Sequence, residues 1–208
     1  MIDHRWCGTL SYEAGLKAQA DVVERLEAGL SNGEILGLEH SAVVTLGKRG
    51  RIEDDLVVSK DELNRLDVQL FQSERGGQAT LHAPGQLVIY PCVSLPTLKQ
   101  SVREYVEYLQ TTTRDLLIEQ GIDAHLADDE PGVYTSRGKI AYFGVKVSKG
   151  IASHGIAINV KNDLGLFRLI RSCGKDRETF DSLQSRGVTM STQMLFEAWT
   201  RRFLSPFA

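Results

Sequence analysis

Residues 138–160 read GKIAYFGVKV, then SKG, then IASHGIAINV. In the last of these blocks Ile156, Ile158 and Val160 alternate with Ala157 and Asn159, the period of two that puts one face of a strand against a core. Ser148-Lys149-Gly150 between the blocks is short, polar and ends in glycine, so the stretch reads as two strands joined by a hairpin turn.

Outward from that hairpin, strands and helices are mixed without a strict strand–helix–strand alternation. EILGLEH (34–40), AVVTLG (42–47), DVQLFQ (67–72) and QLVIYPCVSL (86–95) read as strands, the last apolar enough to be buried on both faces. Residues 12–30 place Leu16, Ala20, Val23 and Leu26 at helical spacing, and residues 97–120 do the same with Val102, Val106, Leu109, Leu116 and Leu117. Ser59 with Glu62 three positions on marks a short capped helix, and Ser191 caps a final amphipathic helix to residue 204. The expected fold class is α/β (α+β), with one mixed sheet flanked by helices in a single domain over residues 1–208.

The composition excludes several function classes. Of 208 residues 42% are hydrophobic and 25% charged, as in ordinary globular proteins. No apolar run reaches the roughly 20 residues that span a bilayer. The opening MIDHRWCGTLSYEAG has no signal-peptide pattern, so a cytoplasmic location is expected. Cys7, Cys92 and Cys173 are odd in number and widely spaced, which fits neither a disulfide framework nor a zinc site. Net charge is −3, yet residues 137–177 hold nine basic and two acidic residues, a local +7 against −10 elsewhere. Such a stretch reads either as a docking surface for an acidic partner or as ordinary solvated strands. Nucleic acid is disfavoured, because no aromatic side chains interleave with these charges.

Three places could hold chemistry. Arg75-Gly76-Gly77-Gln78-Ala79-Thr80-Leu81-His82-Ala83-Pro84-Gly85-Gln86 has paired glycines that allow close approach to a ligand, but it is neither a P-loop nor a G-x-G-x-x-G turn. A plain turn between strands explains it equally on spacing alone. Cys173, in Arg171-Ser172-Cys173-Gly174-Lys175, lies amid cations that favour a thiolate, whereas Cys92 sits in an apolar strand. Lys139 heads a strand, usually a solvated position, and gains meaning only beside a group needing a proton partner. His82 and His154 are each candidate bases or hydrogen-bonded structural histidines, and no histidines pair at metal-ligand spacing.

Taken together and in order, these segments resemble the octanoyltransferases of lipoate biosynthesis, a family related in fold to the biotin and lipoate protein ligases. Arg75–Gln86 is similar to the family's R-G-G-Q-x-T-x-H-x-P-G-Q signature, and Pro131-Gly132-Val133-Tyr134 to its P-G-V-Y/W turn. Gly138-Lys139-Ile140-Ala141 resembles its lysine motif, His154-Gly155 with Ala157 and Asn159-Val160 its H-G-x-A-x-N-V strand, and Cys173-Gly174 its nucleophile turn. Ser172, Ala83, Leu81 and Tyr142-Phe143-Gly144 depart from the usual proline, glycine, tyrosine and Ser-Ile/Leu-Gly.

The resemblance implies a biotin/lipoate protein ligase-like catalytic domain that moves an octanoyl group from acyl carrier protein to a lysine. The acceptors would be lipoyl domains of 2-oxoacid dehydrogenase complexes and the glycine cleavage H protein. It implies Cys173 as thioester-forming nucleophile and Lys139 as its proton partner, with no cofactor and no metal. It further implies an acyl site lined by Arg75, Gly76, Gly77, Gln78, Ala79, Thr80, Leu81 and His82, by Tyr142, Phe143 and Gly144, and by His154, Gly155, Ile156 and Ala157. An ATP-dependent lipoate or octanoate ligase, a non-catalytic acyl-carrier-docking protein and a thiol hydrolase with a histidine base are the competing readings.

Overall fold

A computed structural model describes residues 1–127, 130–171 and 179–207. In chain order the elements are β1 (Asp3–Leu10), α1 (Tyr12–Glu27), β2 (Glu34–His40), β3 (Val43–Leu46), α2 (Ile52–Asp55), α3 (Lys60–Arg65), β4 (Gln69–Gln72) and β5 (Ala79–His82). They continue with β6 (Gln86–Ser94), α4 (Leu95–Leu98), α5 (Val102–Glu119), β7 (His125–Leu126), β8 (Gly132–Thr135), β9 (Gly138–Ser148), β10 (Ile151–Asn159) and α6 (Thr192–Leu204).

A seven-stranded sheet in the order β1-β2-β6-β10-β9-β8-β7 forms the centre, and a three-stranded sheet, β4-β3-β5, packs beside it. Strands β1 and β2 run parallel and the remaining neighbours in the large sheet are antiparallel, so the sheet is mixed as expected. The β9–β10 hairpin is its core, with Ile158 opposite Ala141 and Ile151 opposite Ser148.

Alternation along the strands divides the interior in two. Ile35, Leu87, Ile89, Val93, Ile156 and Ile158 point to the face covered by α5 and α6, where Trp199 and Phe203 stack at 4.9 Å. The indole N–H of Trp199 donates to Thr113 Oγ1 at 3.0 Å, which satisfies a polar atom in the seam between the two helices. Leu36, Leu38, Val88, Tyr90 and Cys92 point to the other face, under α1 and the small sheet.

Helix α1 turns a different face inward from the one its aliphatic spacing predicts, whereas α5 buries Leu109, Leu116 and Leu117 as predicted and departs only at its start. In α1 the buried positions are Tyr12, Gly15, Gln19 and Val22. Gly15 is inward because an added Cβ there would lie 2.6 Å from the His40 ring, and Gln19 because its Oε1 accepts from the His154 backbone N–H at 2.7 Å. In α5 Val102 is exposed and Tyr105 is fully buried, with its hydroxyl donating to the Pro91 carbonyl at 3.2 Å. The helix begins at Val102 and not at residue 97, because Ser101 and Glu104 form a complete capping box there.

Pro91 shapes the centre of the sheet. It has no N–H to give to a ladder, and β10 breaks its pairing with β6 between Ala152 and Ile156, on either side of Pro91. There His154 takes a left-handed backbone (φ 55°) and Gly155 follows at φ 159°. A Cβ on Gly155 would meet the Ile89 carbonyl at 2.5 Å and Pro91 Cδ at 2.7 Å, so this position admits glycine alone.

The basic stretch does not make one face. Strand β9 is 11 residues, so its ends lie roughly 35 Å apart. Arg137 at one end donates to the Ser185 carbonyl at 2.8 Å, and Lys149 at the other pairs with Glu27 at 3.0 Å. Among the described residues a single docking patch is therefore not what the charge count produces, because the hairpin carries its cations to opposite ends.

Candidate active site

A cleft opens on the face of the large sheet that carries the small sheet. The β9 and β10 residues Tyr142, Phe143, Gly144, His154, Gly155, Ile156 and Ala157 line one wall, and Arg75, Gly77, Gln78, Ala79, Thr80 and His82 line the other. Lys139 and Pro131 lie in the same lining, with Tyr12, Val88 and Tyr90.

Two expected lining residues are elsewhere. Gly76 uses its N–H to reach the Val145 carbonyl at 3.0 Å, fastening the glycine-rich segment to β9. Leu81 is fully buried in the hydrophobic cluster around Val44 and Leu46. The reason is alternation. Residues 79–82 of the glycine-rich segment are not a turn but strand β5, paired antiparallel with β3, so Thr80 and His82 belong to one face and Leu81 to the other.

Arg75 holds the loop before β5 in place. Its Nη2 donates to the Thr45 carbonyl at 2.6 Å and the Gln78 carbonyl at 2.8 Å, and its Nε to Thr45 Oγ1 at 3.1 Å. The basic side chain predicted to line the acyl site thus also ties β3 to that site.

Three buried histidines border the cleft or support it. His40 Nδ1 donates to the Leu10 carbonyl at 3.0 Å, which leaves Nε2 to accept from the Tyr90 hydroxyl at 2.8 Å. His82 Nδ1 donates to Gln86 Oε1 at 2.8 Å. Burial is the main cause that lowers all three: His40 to about 4, His82 to about 3 with a further push from His40, and His154 to about 4 with a further push from Arg75. They are neutral imidazoles at neutral pH and poor acceptors for a thiol proton, which disfavours the histidine-based hydrolase.

Lys139 is a different kind of buried group. Its side chain is 2% exposed, and Nζ lies 3.6 Å from Glu130 Oε1. The ammonium also sits over the rings of Tyr134 at 5.2 Å and Tyr142 at 5.4 Å. Gly132 makes room for the stem, since a Cβ there would come within 2.9 Å of Lys139 Cε.

The backbone around Lys139 is equally constrained. Its N–H donates to the Thr179 carbonyl and its carbonyl accepts from the Asp181 N–H, both at 2.9 Å. Asp181 is 1% exposed and accepts from Thr135 Oγ1, Arg186 Nε and the Ser182 N–H at 2.5, 2.5 and 2.9 Å, and also from the Ser185 hydroxyl. A chain of side-chain bonds connects this anchor to the cleft. Asn159 Nδ2 donates to the Asp181 carbonyl at 3.0 Å, Gln86 Nε2 donates to Asn159 Oδ1 at 3.0 Å, and Gln86 Oε1 holds His82. The histidine, glutamine and asparagine of the two sequence motifs are thereby one network.

Cys173, the expected nucleophile, falls within residues 172–178, outside the described residues. The chain on either side is fixed: the Arg171 N–H donates to the Asp55 carbonyl at 2.8 Å, and Thr179 is bonded to Lys139. The other thiols are unsuited to nucleophilic work. Burial pushes Cys92 up to about 12, and burial also raises Cys7.

The family model for the lipoyl protein ligase A/B catalytic domain matches residues 11–204. The chain belongs to this family. Among its relatives, a protein of Solibacter usitatus named octanoyltransferase is 36% identical over 203 residues, which is 98% of this chain and 91% of the relative. An octanoyltransferase of Thermoanaerobacter pseudethanolicus is 34% identical over 96% of this chain and 87% of its own length.

Among solved structures, the bipartite lipoate protein ligase of Thermoplasma acidophilum superposes with a TM-score of 0.74 at 16% identity, covering 100% of this chain and 84% of that one. A biotin protein ligase from Aquifex aeolicus gives 0.57 at 18%, over 98% and 69%. These likenesses establish the lipoate/biotin ligase fold. Sequence reasoning missed Tyr12, Val88, Tyr90 and Pro131 in the lining and His40 behind it. Pro131 stood within a motif already quoted, whereas Tyr12 at a helix start and Tyr90 in an apolar strand carried no signal apart from their polarity.

Proposed function

We propose that this chain is an octanoyltransferase of protein lipoylation, acting as a single acyltransferase domain through a thioester on Cys173. The observation that carries the reading is the backbone bond from Lys139 to Thr179, six residues after Cys173 in sequence. It ties the chain leaving the nucleophile's segment to the lysine expected to serve it. The relatives named octanoyltransferase supply the acyl group.

In the first half-reaction the Cys173 thiol has already passed its proton to Lys139, and the sulfur of this thiolate–ammonium pair attacks the carbonyl carbon of the octanoyl thioester on acyl carrier protein. The tetrahedral intermediate expels the carrier thiolate, which takes the proton back from Lys139. One thioester replaces another, so no ATP is consumed. In the second half-reaction the amine of a lipoyl-domain lysine attacks the Cys173 thioester, an amide forms, and the amine's proton passes to the departing cysteine sulfur. The apolar side chains of Val88, Tyr142 and Ala157, which share the cleft face of the sheet, suit an alkyl chain. Lipoyl domains, including those of 2-oxoacid dehydrogenases and the glycine cleavage H protein, are the acceptors in this reading. A reduced nucleophile fits a cytoplasmic location.

The test is incubation with octanoyl-acyl carrier protein followed by mass spectrometry. One octanoyl mass is expected on the chain, absent in Cys173→Ala and released by hydroxylamine. An adduct indifferent to that substitution, or transfer that requires free octanoate and ATP, overturns the reading in favour of a ligase.

A further inference from the structure

The lysine motif and the nucleophile account for two residues, but the geometry points to a third. We propose that Glu130 is a positioning residue for Lys139, orienting its ammonium for the proton transfers of acyl exchange. The inference rests on the Cys173–Lys139 reading and adds to it a group that no sequence motif marks.

Glu130 stands just before the Pro131-Gly132-Val133-Tyr134 segment, in the turn that leads into β8. Its Oε1 is 3.6 Å from Lys139 Nζ, and the same oxygen accepts the Tyr134 hydroxyl. The pair is largely withdrawn from water, with side chains 2% and 16% exposed for Lys139 and Glu130. An ammonium this deeply buried is tolerated when opposite charge and polarisable groups compensate for lost hydration. The two aromatic faces provide part of that compensation, but a ring face attracts a cation over a broad area and sets no direction. A carboxylate oxygen does set one, and the Tyr134 hydroxyl fixes where that oxygen lies.

Among the described residues, the charged and titratable groups at the ammonium include Glu130 from the preceding turn, Tyr134 from β8 and Tyr142 from β9. Gly132 lets the β8 backbone approach the stem closely enough for this arrangement. The carboxylate reaches Lys139 Nζ, so Glu130 acts through the lysine.

The experiment measures the single-turnover rate of Cys173 acylation by octanoyl-acyl carrier protein in the full chain. Glu130→Gln should lower the rate constant roughly ten- to hundredfold, as small misplacements of a reacting group do. The donor concentration giving half the maximal rate should stay unchanged. Glu130→Asp should recover part of the loss. Tyr134→Phe, which keeps the ring and removes the hydroxyl, should lose less in the same direction.

The deciding comparison is with Lys139→Ala. If Glu130 works through the lysine, Glu130→Gln has no further effect once Lys139 is gone. A Glu130→Gln rate equal to wild type, or an equal fold-loss with and without Lys139, overturns the proposal while leaving the Cys173 mechanism intact. A wild-type chain that takes up no acyl group on Cys173 overturns the underlying mechanism and this proposal with it.

Discussion

The Thr179 carbonyl accepts the backbone N–H of Lys139 at 2.9 Å, and Gly138 beside it holds a backbone that disfavours any other residue. At φ +145° a side chain on residue 138 would be strained, and its Cβ would lie 2.3 Å from the Thr179 oxygen. Gly138→Ala should therefore push residues 179–181 away from β9. The expected result is loss of most acyl-transfer activity, with destabilisation of about 1–3 kcal/mol from the strained backbone. Chemical denaturation and transfer assays on the same preparation check both parts. Full activity in this variant would mean that the Lys139–Thr179 contact does not matter for transfer.

Asp181 provides a second handle on that contact. Burial alone would raise its pKa, but hydrogen bonds from Ser185, Thr135, Arg186 and the Ser182 N–H together hold it below the ordinary 3.8. A carboxylate lowered on folding stabilises the native state above its unfolded value, and that contribution fades as pH falls below 3.8 toward the folded value. Asp181→Ala leaves Arg186 with one fewer carboxylate and three donors without their acceptor. It should cost about 3–5 kcal/mol at pH 7, the penalty for breaking a buried pair. Denaturant midpoints for wild type and variant should converge as the pH drops below 4, where the unfolded wild-type chain begins to protonate this carboxylate before the folded one does.

Leu81 separates the two faces of β5. Because its side chain is in the core and not in the cleft, Leu81→Ala should cost about 2–5 kcal/mol of stability through the cavity it leaves. The preferred acyl-chain length should not change. Ala157→Val, in the lining on the cleft face of β10, should do the reverse: a smaller stability loss and a shift toward shorter acyl donors, read from competition between octanoyl and hexanoyl carriers. Altered chain preference in Leu81→Ala would show that the wrong face of the strand had been assigned to the substrate.

How far the sequence foretold this depends on whether the deciding contact is local. The β9–β10 hairpin was legible because alternation and a three-residue turn are written within adjacent residues. So were the caps at Ser59 and Ser191. Strand β1 was not read, because its residues are mostly exposed and it exists by pairing with β2 at the sheet edge. Strand β5 was hidden because its four residues become a strand only against β3, more than thirty positions earlier. The α1 face was rotated because Gly15 and Gln19 are buried for steric or hydrogen-bonding reasons that an apolar pattern omits. Lys139 stood out only through family resemblance, and Glu130 had no pattern at all, since its significance is a distance.

The three neutral histidines give the chain a predictable weakness in mild acid. Each has an ordinary value of 6.5 when unfolded and about 4, about 3 and about 4 when folded, for His40, His82 and His154. Between pH 6.5 and about 4 the unfolded chain binds more protons than the folded one, so stability is complete above 6.5 and declines as the pH falls. Each site contributes a slope of up to about 1.4 kcal/mol per pH unit within that window. Melting temperature should drop steadily from pH 7 to pH 5, well above the range in which Asp181 titrates. Replacing His40 with Gln removes one titrating group and should flatten the slope by about a third of the combined three-site effect. It also removes the acceptor for the Tyr90 hydroxyl, so the variant should be less stable than wild type at pH 7 and closer to it at pH 5. A pH–melting curve parallel to that of wild type would mean that His40 takes up protons equally in the folded and unfolded chains and is not shifted by burial.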